Sequence, residues 1–120
     1  MEIPTEHEEQ CAFVEYLEAK GLKFTSIPNS TRTPHWGTKM KNKKSGLRPG
    51  LPDMLIILPN TGLLFIEMKR KKRSTVSVFQ KEWIAELNKL DNVEAVIAKG
   101  ADKAIEFVEL FYNNLPKASI

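Results

Sequence analysis

The sequence predicts an α/β fold in which helices flank a mixed sheet. Three observations lead to this prediction. The apolar runs at 54–58 and 63–69 flank the turn-forming residues Pro-Asn-Thr-Gly, which is typical of a β-hairpin. Segments with helical periodicity precede and follow the hairpin, and a further β-rich run at 93–98 separates the last two of them. The expected order of elements is α-β-β-β-α-β-α, within one domain of 120 residues.

The first element is predicted to be a helix. Apolar residues recur near helical spacing from Cys11 to Leu22. Thr5, or the acids after it, can begin this helix. Gly21 is suited to end it, because glycine readily adopts the left-handed conformation that follows many helices.

A short strand and a long basic loop are predicted next. Residues 22–27 are rich in β-forming side chains and end at Pro28. The segment 28–52 has no hydrophobic period and consists largely of Pro, Gly, Asn, Ser, Thr and basic residues. Connections of this length in a compact domain are usually functional or disordered, so we expect a loop of one of these kinds.

The second half of the chain is predicted to alternate between helices and strands. The run at 54–58 is apolar throughout, as expected of a strand that is buried on both faces. Ser77 and Gln80 form a capping-box pattern that opens a helix ending near Leu90. The apolar face of this helix, Trp83 included, is expected to pack in the core. An amphipathic helix at 101–115 is predicted to close the fold.

Several classes of protein are excluded by composition. The single cysteine, Cys11, permits no internal disulfide, and the acidic N-terminus lacks the apolar stretch of a secretory signal. The apolar runs are about a strand long, far short of the roughly 20 residues that span a membrane. The phosphate-binding pattern G-x-x-x-x-G-K-[ST] is absent, so no nucleotide cofactor is expected. The composition indicates a soluble intracellular protein.

The basic residues are concentrated in the middle of the chain. Residues 19–73 include thirteen Lys and Arg residues but only two acids, Asp53 and Glu67. Residues 1–18, in contrast, carry six acids and no Lys or Arg, and the net charge of the chain is only +3. A segment of this kind is typical of a protein that contacts a polyanion, although a solvated loop with a lysine-rich tip has the same composition.

The two acids of this basic segment are predicted to meet across the hairpin. If Leu58 pairs with Leu63, Asp53 lies within about one residue of the position opposite Glu67. Lys69 follows Glu67 by two residues and therefore projects from the same face of the strand. Two carboxylates and an ammonium group suit metal-assisted hydrolysis of a phosphodiester, because carboxylate oxygens hold Mg²⁺ and a cation stabilises developing negative charge.

Each of these residues also has a structural explanation. Asp53 is a common type of turn residue before a strand, and Gln80 is explained by the capping box alone. A salt bridge to Lys69 or Lys71 would explain Glu67. A carboxylate after Leu-Leu-Phe-Ile in an interior strand is costly without a partner, so Glu67 is the residue that most favours a functional explanation.

The motifs resemble those of a known nuclease family. "PD" at 52–53 and "EMK" at 67–69, on either side of a hairpin, resemble the signature of the PD-(D/E)xK nucleases. More closely, the chain is similar to a standalone virus-type replication-repair nuclease (VRR-NUC) domain. The matching features are Glu6 with Gln10, "GLPD" at 50–53, "FIEMK" at 65–69 and "SVFQKEW" at 77–83.

The resemblance implies an architecture for the whole chain. It implies a restriction-endonuclease-like αβββαβ(α) core with a mixed central sheet flanked by helices. Residues 1–120 would then form a single VRR-NUC-like domain, with a basic loop at 28–52.

The resemblance also implies a metal site and its ligands. A site for Mg²⁺ or Mn²⁺ would be formed by the carboxylates of Asp53 and Glu67, the backbone carbonyl of Met68 and a glutamate of the first helix. Glu6 matches the family's E-x-x-x-Q spacing best, because Gln10 follows one turn later. Glu9 is the fallback.

Two further residues receive catalytic roles from the resemblance. Lys69 would orient or deprotonate the attacking water. Gln80, at the start of the helix after the E-x-K strand, would position the water or the lysine. The catalytic set is therefore Asp53, Glu67, Lys69, Gln80 and Glu6.

The basic residues are expected to bind the DNA backbone in a salt-sensitive, sequence-tolerant way. They are Arg32, Lys39, Lys41, Lys43, Lys44, Arg48, Arg70, Lys71, Lys72 and Arg73.

By resemblance, we expect a structure-selective DNA endonuclease. The expected substrate is branched DNA such as four-way (Holliday) junctions, and the expected assembly is a homodimer. The expected setting is DNA repair in the cytoplasm of a bacterium or a phage-infected host. Two alternatives remain open: a nucleic-acid-binding module that has lost catalysis, and a restriction-type or exonucleolytic nuclease with the same chemistry.

Overall fold

The computed structural model describes residues 2–28 and 35–114, which form one mixed sheet with helices packed on it. The elements are α1 (Glu6–Lys20), β1 (Lys23–Ser26), α2 (Trp36–Lys44), β2 (Met54–Leu58), β3 (Gly62–Lys69), α3 (Val78–Leu87), β4 (Val93–Lys99) and α4 (Ala101–Asn114). The strands lie in the order β1-β2-β3-β4. β1–β2 and β2–β3 are antiparallel pairs and β3–β4 is a parallel pair. The predicted α/β class with a mixed sheet is confirmed.

Helix α2 lies within the segment 28–52, where the sequence predicted a loop, and that prediction was wrong for residues 36–44. The helix has no apolar stripe, so hydrophobic periodicity could not reveal it. Local interactions at its C-terminus stabilise it instead. The Ser45 hydroxyl donates to the Lys41 carbonyl at 3.0 Å, and Arg48 Nη1 donates to the Lys43 carbonyl at 2.9 Å. Lysines in the last turn also interact favourably with the helix dipole.

The hairpin register differs by one residue from the predicted register. Leu58 pairs with Gly62 and not with Leu63, because the turn is one residue shorter than predicted. The Thr61 N–H donates to the Leu58 carbonyl at 3.0 Å, and Asn60 adopts a φ of 61°, as the third position of a type II turn requires. Met54 consequently pairs with Ile66. Asp53 precedes Met54 and Glu67 follows Ile66, so continuing this register places Asp53 opposite Glu67.

The core lies between the sheet and helices α1 and α4. Phe13 and Leu17 of α1, Ile66 of β3 and Val108 of α4 are each fully buried in it. Cys11, which the helical spacing placed on the apolar side of α1, is exposed. An ion pair of 2.9 Å between Lys20 Nζ and Glu109 Oε1 also joins α1 to α4. These contacts fix the position of α1 on the sheet.

Helix α3 makes side-chain hydrogen bonds to its neighbours, and it ends at Leu87 rather than near Leu90. None of its residues is buried, so the expectation that Trp83 lies in the core was wrong. The Asn88 side chain accepts from the Ala95 N–H at 2.7 Å and donates to the Ala95 carbonyl at 2.9 Å. Trp83 Nε1–H donates to the Pro49 carbonyl at 3.0 Å. An amphipathic pattern identifies an apolar face but not what covers it.

Within the described residues, no helix combines the length and the apolar composition needed to cross a membrane.

The segment before Asp53 packs directly on the backbone of α3 at Gly50. This glycine has a φ of +106°, and a Cβ there would lie 2.5 Å from the carbonyl carbon of Phe79. We expect Gly50→Ala to lower the free energy of unfolding by about 3 kcal/mol or more, because the strained φ and the backbone clash add together. Urea denaturation measures this change.

Gly46→Ala is a matched control for Gly50→Ala. Gly46 has nearly the same φ, +103°, but a Cβ there would meet nothing within 4 Å. Only the cost of the backbone conformation, about 1–2 kcal/mol, is expected at this position. Equal losses for the two variants would show that the contact between Gly50 and α3 does not matter for stability.

Candidate metal and active site

Three acids from separate elements converge at one end of the hairpin. Asp53 precedes β2, Glu67 lies in β3 and Glu6 is the first residue of α1. One carboxylate oxygen from each residue lies within 4.8 Å of the other two. The structure therefore brings together the three acids that the sequence analysis placed at the proposed metal site.

The hairpin fixes the Asp53 carboxylate against β3. Asp53 Oδ2 accepts a hydrogen bond of 3.0 Å from the Met68 N–H. The N–H and C=O of a strand residue face the same edge, so the Met68 carbonyl also faces the Asp53 side. The next carbonyl along, that of Lys69, faces β4 and accepts from the Gly100 N–H at 2.8 Å. The Met68 carbonyl is thus directed toward the acids, where the sequence analysis expected it.

A capping box sets where α1 begins and hence where Glu6 lies. The Thr5 hydroxyl accepts from the Glu8 N–H at 3.1 Å, and Glu8 Oε1 accepts from the Thr5 N–H at 3.0 Å. This box makes Glu6 the first helical residue, at the positive end of the helix dipole, where carboxylates are favoured. The pattern T-x-x-E at 5–8 encodes this capping box and could have identified it from the sequence.

Glu9, the fallback ligand, lies elsewhere. Its side chain is buried, and its Oε1 accepts from the Ala101 N–H at 3.1 Å. Glu9 therefore caps the N-terminus of α4 and is not part of the three-acid group. Gly100 makes room for this contact, because a Cβ at Gly100 would lie 3.1 Å from Glu9 Oε2.

Glu67 is held by two neighbouring side chains that offer hydrogen-bond donors. The residue is only 3% exposed. Its Oε2 accepts from Gln80 Nε2 at 3.0 Å and lies 3.6 Å from Lys69 Nζ. Lys71, the alternative partner of Glu67, instead lies 3.4 Å from Asp102.

Gln80 completes the capping box of α3 and also contacts Glu67. Its Oε1 accepts from the Ser77 N–H at 2.9 Å, which completes the capping box of α3. Its Nε2 donates to Glu67 in the same conformation. The beginning of α3 is therefore linked directly to the three-acid group.

The electrostatics of the site favour a bound cation. Burial, followed by the negative charge of Asp53 and a hydrogen bond with it, raises the pKa of Glu67 to about 8, and Lys69 only partly opposes this shift. Carboxylates this close repel one another, and a divalent ion would relieve the repulsion. Their hard oxygen donors suit Mg²⁺ or Mn²⁺. The residues therefore fit such an ion.

The basic residues fall into two groups. Lys39, Lys41, Lys43, Lys44, Arg48, Lys72 and Arg73 are exposed. Arg70 and Lys71 have partners within the chain, because Arg70 donates to the Ile3 carbonyl at 3.2 Å and Lys71 lies near Asp102. Arg32 lies outside the described residues.

A hairpin that presents Asp53 opposite Glu67, with Lys69 two residues further on, defines the PD-(D/E)xK class of nucleases. The family model described as "VRR-NUC domain" matches residues 1–102, so the chain belongs to the VRR-NUC family of nucleases. A solved structure titled "VRR_NUC domain protein" is 27% identical, with a TM-score of 0.74 over 92% of this chain and 89% of that one. No curated protein matches the chain.

We expect the pKa of Glu67 to make the metal-free protein less stable as pH rises. The folded state holds a proton up to about pH 8, whereas the ordinary glutamate pKa is 4.5. This contribution to stability is complete below the lower value and is lost as pH rises through the higher one. Urea midpoints measured in EDTA should fall over this range for the wild type, and Glu67→Gln should flatten the slope. The same dependence of the urea midpoint on pH in both proteins would contradict the raised pKa of Glu67.

Substitution of Glu6 is expected to lower metal affinity, whereas substitution of Glu9 is expected to lower stability. Glu6→Ala should lower Mn²⁺ affinity by about tenfold or more and should change stability by less than about 0.5 kcal/mol. Glu9→Ala should cost about 1–3 kcal/mol, because it removes the cap of α4. Calorimetric titration with Mn²⁺ and urea denaturation separate the two effects. A loss of Mn²⁺ affinity only in the Glu9 variant would reverse the assignment.

Proposed function

We propose that the protein is a metal-dependent, structure-selective DNA endonuclease that cuts branched DNA, including four-way junctions. One observation carries the metal-dependent cleavage: the carboxylates of Glu6, Asp53 and Glu67 converge within 4.8 Å in a chain of a nuclease family. The branched substrate is proposed from the family resemblance. Lys69 Nζ, 3.6 Å from Glu67, adds a cation at the same place.

The three carboxylates and the Met68 carbonyl would hold Mg²⁺ or Mn²⁺. When bound, the ion supplies Lewis-acid activation of the scissile phosphate and of the attacking water. As an ammonium group, Lys69 orients this water and stabilises the negative charge that develops on the phosphate oxygens. To accept the proton of the water instead, Lys69 must first release its own proton and act as a neutral amine. Gln80 positions Glu67, because its amide donates to that carboxylate.

The exposed bases would bind the DNA backbone on either side of this site. Lys39, Lys41, Lys43 and Lys44 all lie on α2, which contains no acidic residue. Lys72 and Arg73 follow β3 directly. Arg48, Arg70 and Lys71 contribute less, because each already has a partner within the chain. Phosphate contacts of this kind bind DNA tightly at low salt without reading its sequence.

The assembly and the setting are proposed from the family resemblance. A homodimer would place two sites about a twofold axis, which suits the near-twofold symmetry of a four-way junction. Residues 1–120 would act as one nuclease domain in DNA repair, in the cytoplasm of a bacterium or a phage-infected host.

Cleavage of labelled DNA tests the proposal. A four-way junction, a flap and a blocked-end duplex are incubated with the protein in Mg²⁺, Mn²⁺ or EDTA. We expect cleavage only with a metal, and most readily of branched DNA. Asp53→Asn should abolish cleavage and retain DNA binding. Lys69→Met should slow turnover by about 100-fold or more while Mn²⁺ affinity is retained.

Two surface variants control for loss of charge alone. Asp91→Asn and Lys103→Met remove one acid and one base that are exposed and belong to other parts of the fold. Both should cut as the wild type does. Binding without cleavage in any metal would identify a binding module, and cleavage only from free ends would identify an exonuclease. Either outcome would contradict the endonuclease proposal.

A further inference from the structure

Helix α3 leaves an aromatic groove open beside the three-acid site. Phe79, Glu82, Trp83 and Glu86 lie on one face of the helix, since their spacing is three, four and seven residues. With Arg48 and Pro49 of the preceding segment they line a groove of about 410 Å³, which we name the α3 groove. Phe79 is 49% exposed and Trp83 is 36% exposed. Exposed apolar surface of this kind marks a binding site in many proteins.

The groove is tied structurally to the acids. Phe79 precedes Gln80, whose amide donates to Glu67 at 3.0 Å. On the other wall, Pro49 is followed by Gly50, which contacts the Phe79 backbone, and Asp53 is three residues further along. Trp83 Nε1–H donates to the Pro49 carbonyl at 3.0 Å, so the orientation of the indole ring is fixed. Anything bound against this ring therefore lies about one helical turn from Gln80, which contacts Glu67.

The charges of the groove favour a nucleobase over a phosphate. Glu82 and Glu86 line it together with one cation, Arg48, whose Nη1 already donates to the Lys43 and Leu47 carbonyls, so the two carboxylates would repel a phosphate. The same carboxylates can accept hydrogen bonds from the exocyclic amino groups of bases, and the aromatic rings can stack on the faces of bases. Glu86 is already paired with Lys89 at 2.8 Å, which leaves Glu82 as the better acceptor.

A second groove beside the first contains lysines in place of acids, together with the apolar side chains Met40 and Leu47. Lys39 and Lys43 of α2 line it, and it shares Arg48 and Pro49 with the α3 groove. Arg48 and Pro49 therefore form a ridge between the two grooves. The Arg48 guanidinium donates to the Lys43 carbonyl at 2.9 Å, which holds the ridge against the end of α2. A nucleotide that straddles the ridge would place its phosphate on the lysine side and its base on the Trp83 side.

We propose that the α3 groove binds an unpaired nucleobase of the DNA strand next to the cleavage site. Bases within a duplex are paired and stacked on their neighbours, whereas an unpaired base is free to stack on an aromatic side chain. The groove would thereby select DNA that is open near the cut. This inference rests on the proposed nuclease function and names the feature of the substrate that the site recognises.

The preference for unpaired DNA is measured with two duplexes that are identical except for a short unpaired loop. We expect the ratio of kcat/KM between the looped and the perfect duplex to fall by about 5- to 100-fold in Phe79→Ala and Trp83→Ala, because one stacking contact is lost. Trp83→Phe should retain most of the preference. Val78→Ala is the matched control, because Val78 is also an exposed apolar residue of α3 but lies outside the groove, and it should leave the ratio unchanged.

A charge reversal at an exposed position tests the groove with a variant that is expected to fold normally. Glu82→Lys changes an exposed helical position and reverses the charge of the groove. We expect it to raise the affinity for the perfect duplex and to reduce the preference for the looped one. Wild-type preference in both Glu82→Lys and a folded Trp83→Ala variant would overturn the proposal.

A fluorescence measurement separates this inference from the function on which it rests. A 2-aminopurine placed in the unpaired loop should be quenched on binding to metal-free wild-type protein, and the quenching should be lost in Trp83→Ala. Quenching without any cleavage would support the groove and reject the nuclease function. Cleavage with identical quenching in the wild type and Trp83→Ala would overturn the groove proposal. A Trp83→Ala variant that sediments as a smaller particle than the wild type but still quenches 2-aminopurine would also overturn the groove proposal. The groove would then be an interface between two copies of the chain.

Discussion

The repulsion among three carboxylates is the constraint on which the rest of the site depends. Glu67 lies in an interior strand with Asp53 level with it and Glu6 nearby, and burial raises its pKa to about 8. An arrangement of this kind is unfavourable unless protons, hydrogen-bond donors or a cation compensate for it. Gln80 and Lys69 provide part of this compensation. A divalent ion bound among the three acids would offset the remainder.

The surrounding fold keeps these acids from moving apart. The hairpin fixes Asp53 through the Met68 N–H, and the capping box at Thr5 fixes the start of α1. Glu9 binds the N-terminus of α4 from the same helix that carries Glu6, so the helix cannot slide along the sheet without losing a buried hydrogen bond. Restraint of this kind preorganises the ligands, because the cost of bringing them together is met when the protein folds.

The sequence predicted those features that local patterns encode. The hairpin, the acids at its open end and the capping box at Ser77 follow from apolar runs, turn residues and short motifs, although the predicted hairpin register was wrong by one residue. Helix α2 could not be predicted in this way, because it is stabilised at its C-terminus and lacks an apolar stripe. The separation of Glu6 from Glu9 depends on where α4 begins, which is a tertiary contact. The exposure of Trp83 likewise depends on what packs against α3.

Selectivity for DNA structure requires a link between substrate shape and the reacting atoms, and α3 can provide it. The helix carries Gln80, which contacts Glu67, and its neighbouring face carries Phe79 and Trp83. Gln80 and Asn88 bond α3 and its C-cap to the sheet, Trp83 bonds it to the Pro49 segment, and none of the residues of the helix is buried. A base stacked on the aromatic face would stabilise the position of Gln80 that holds Glu67. Binding of open DNA and completion of the ligand set would then reinforce each other, as linkage requires.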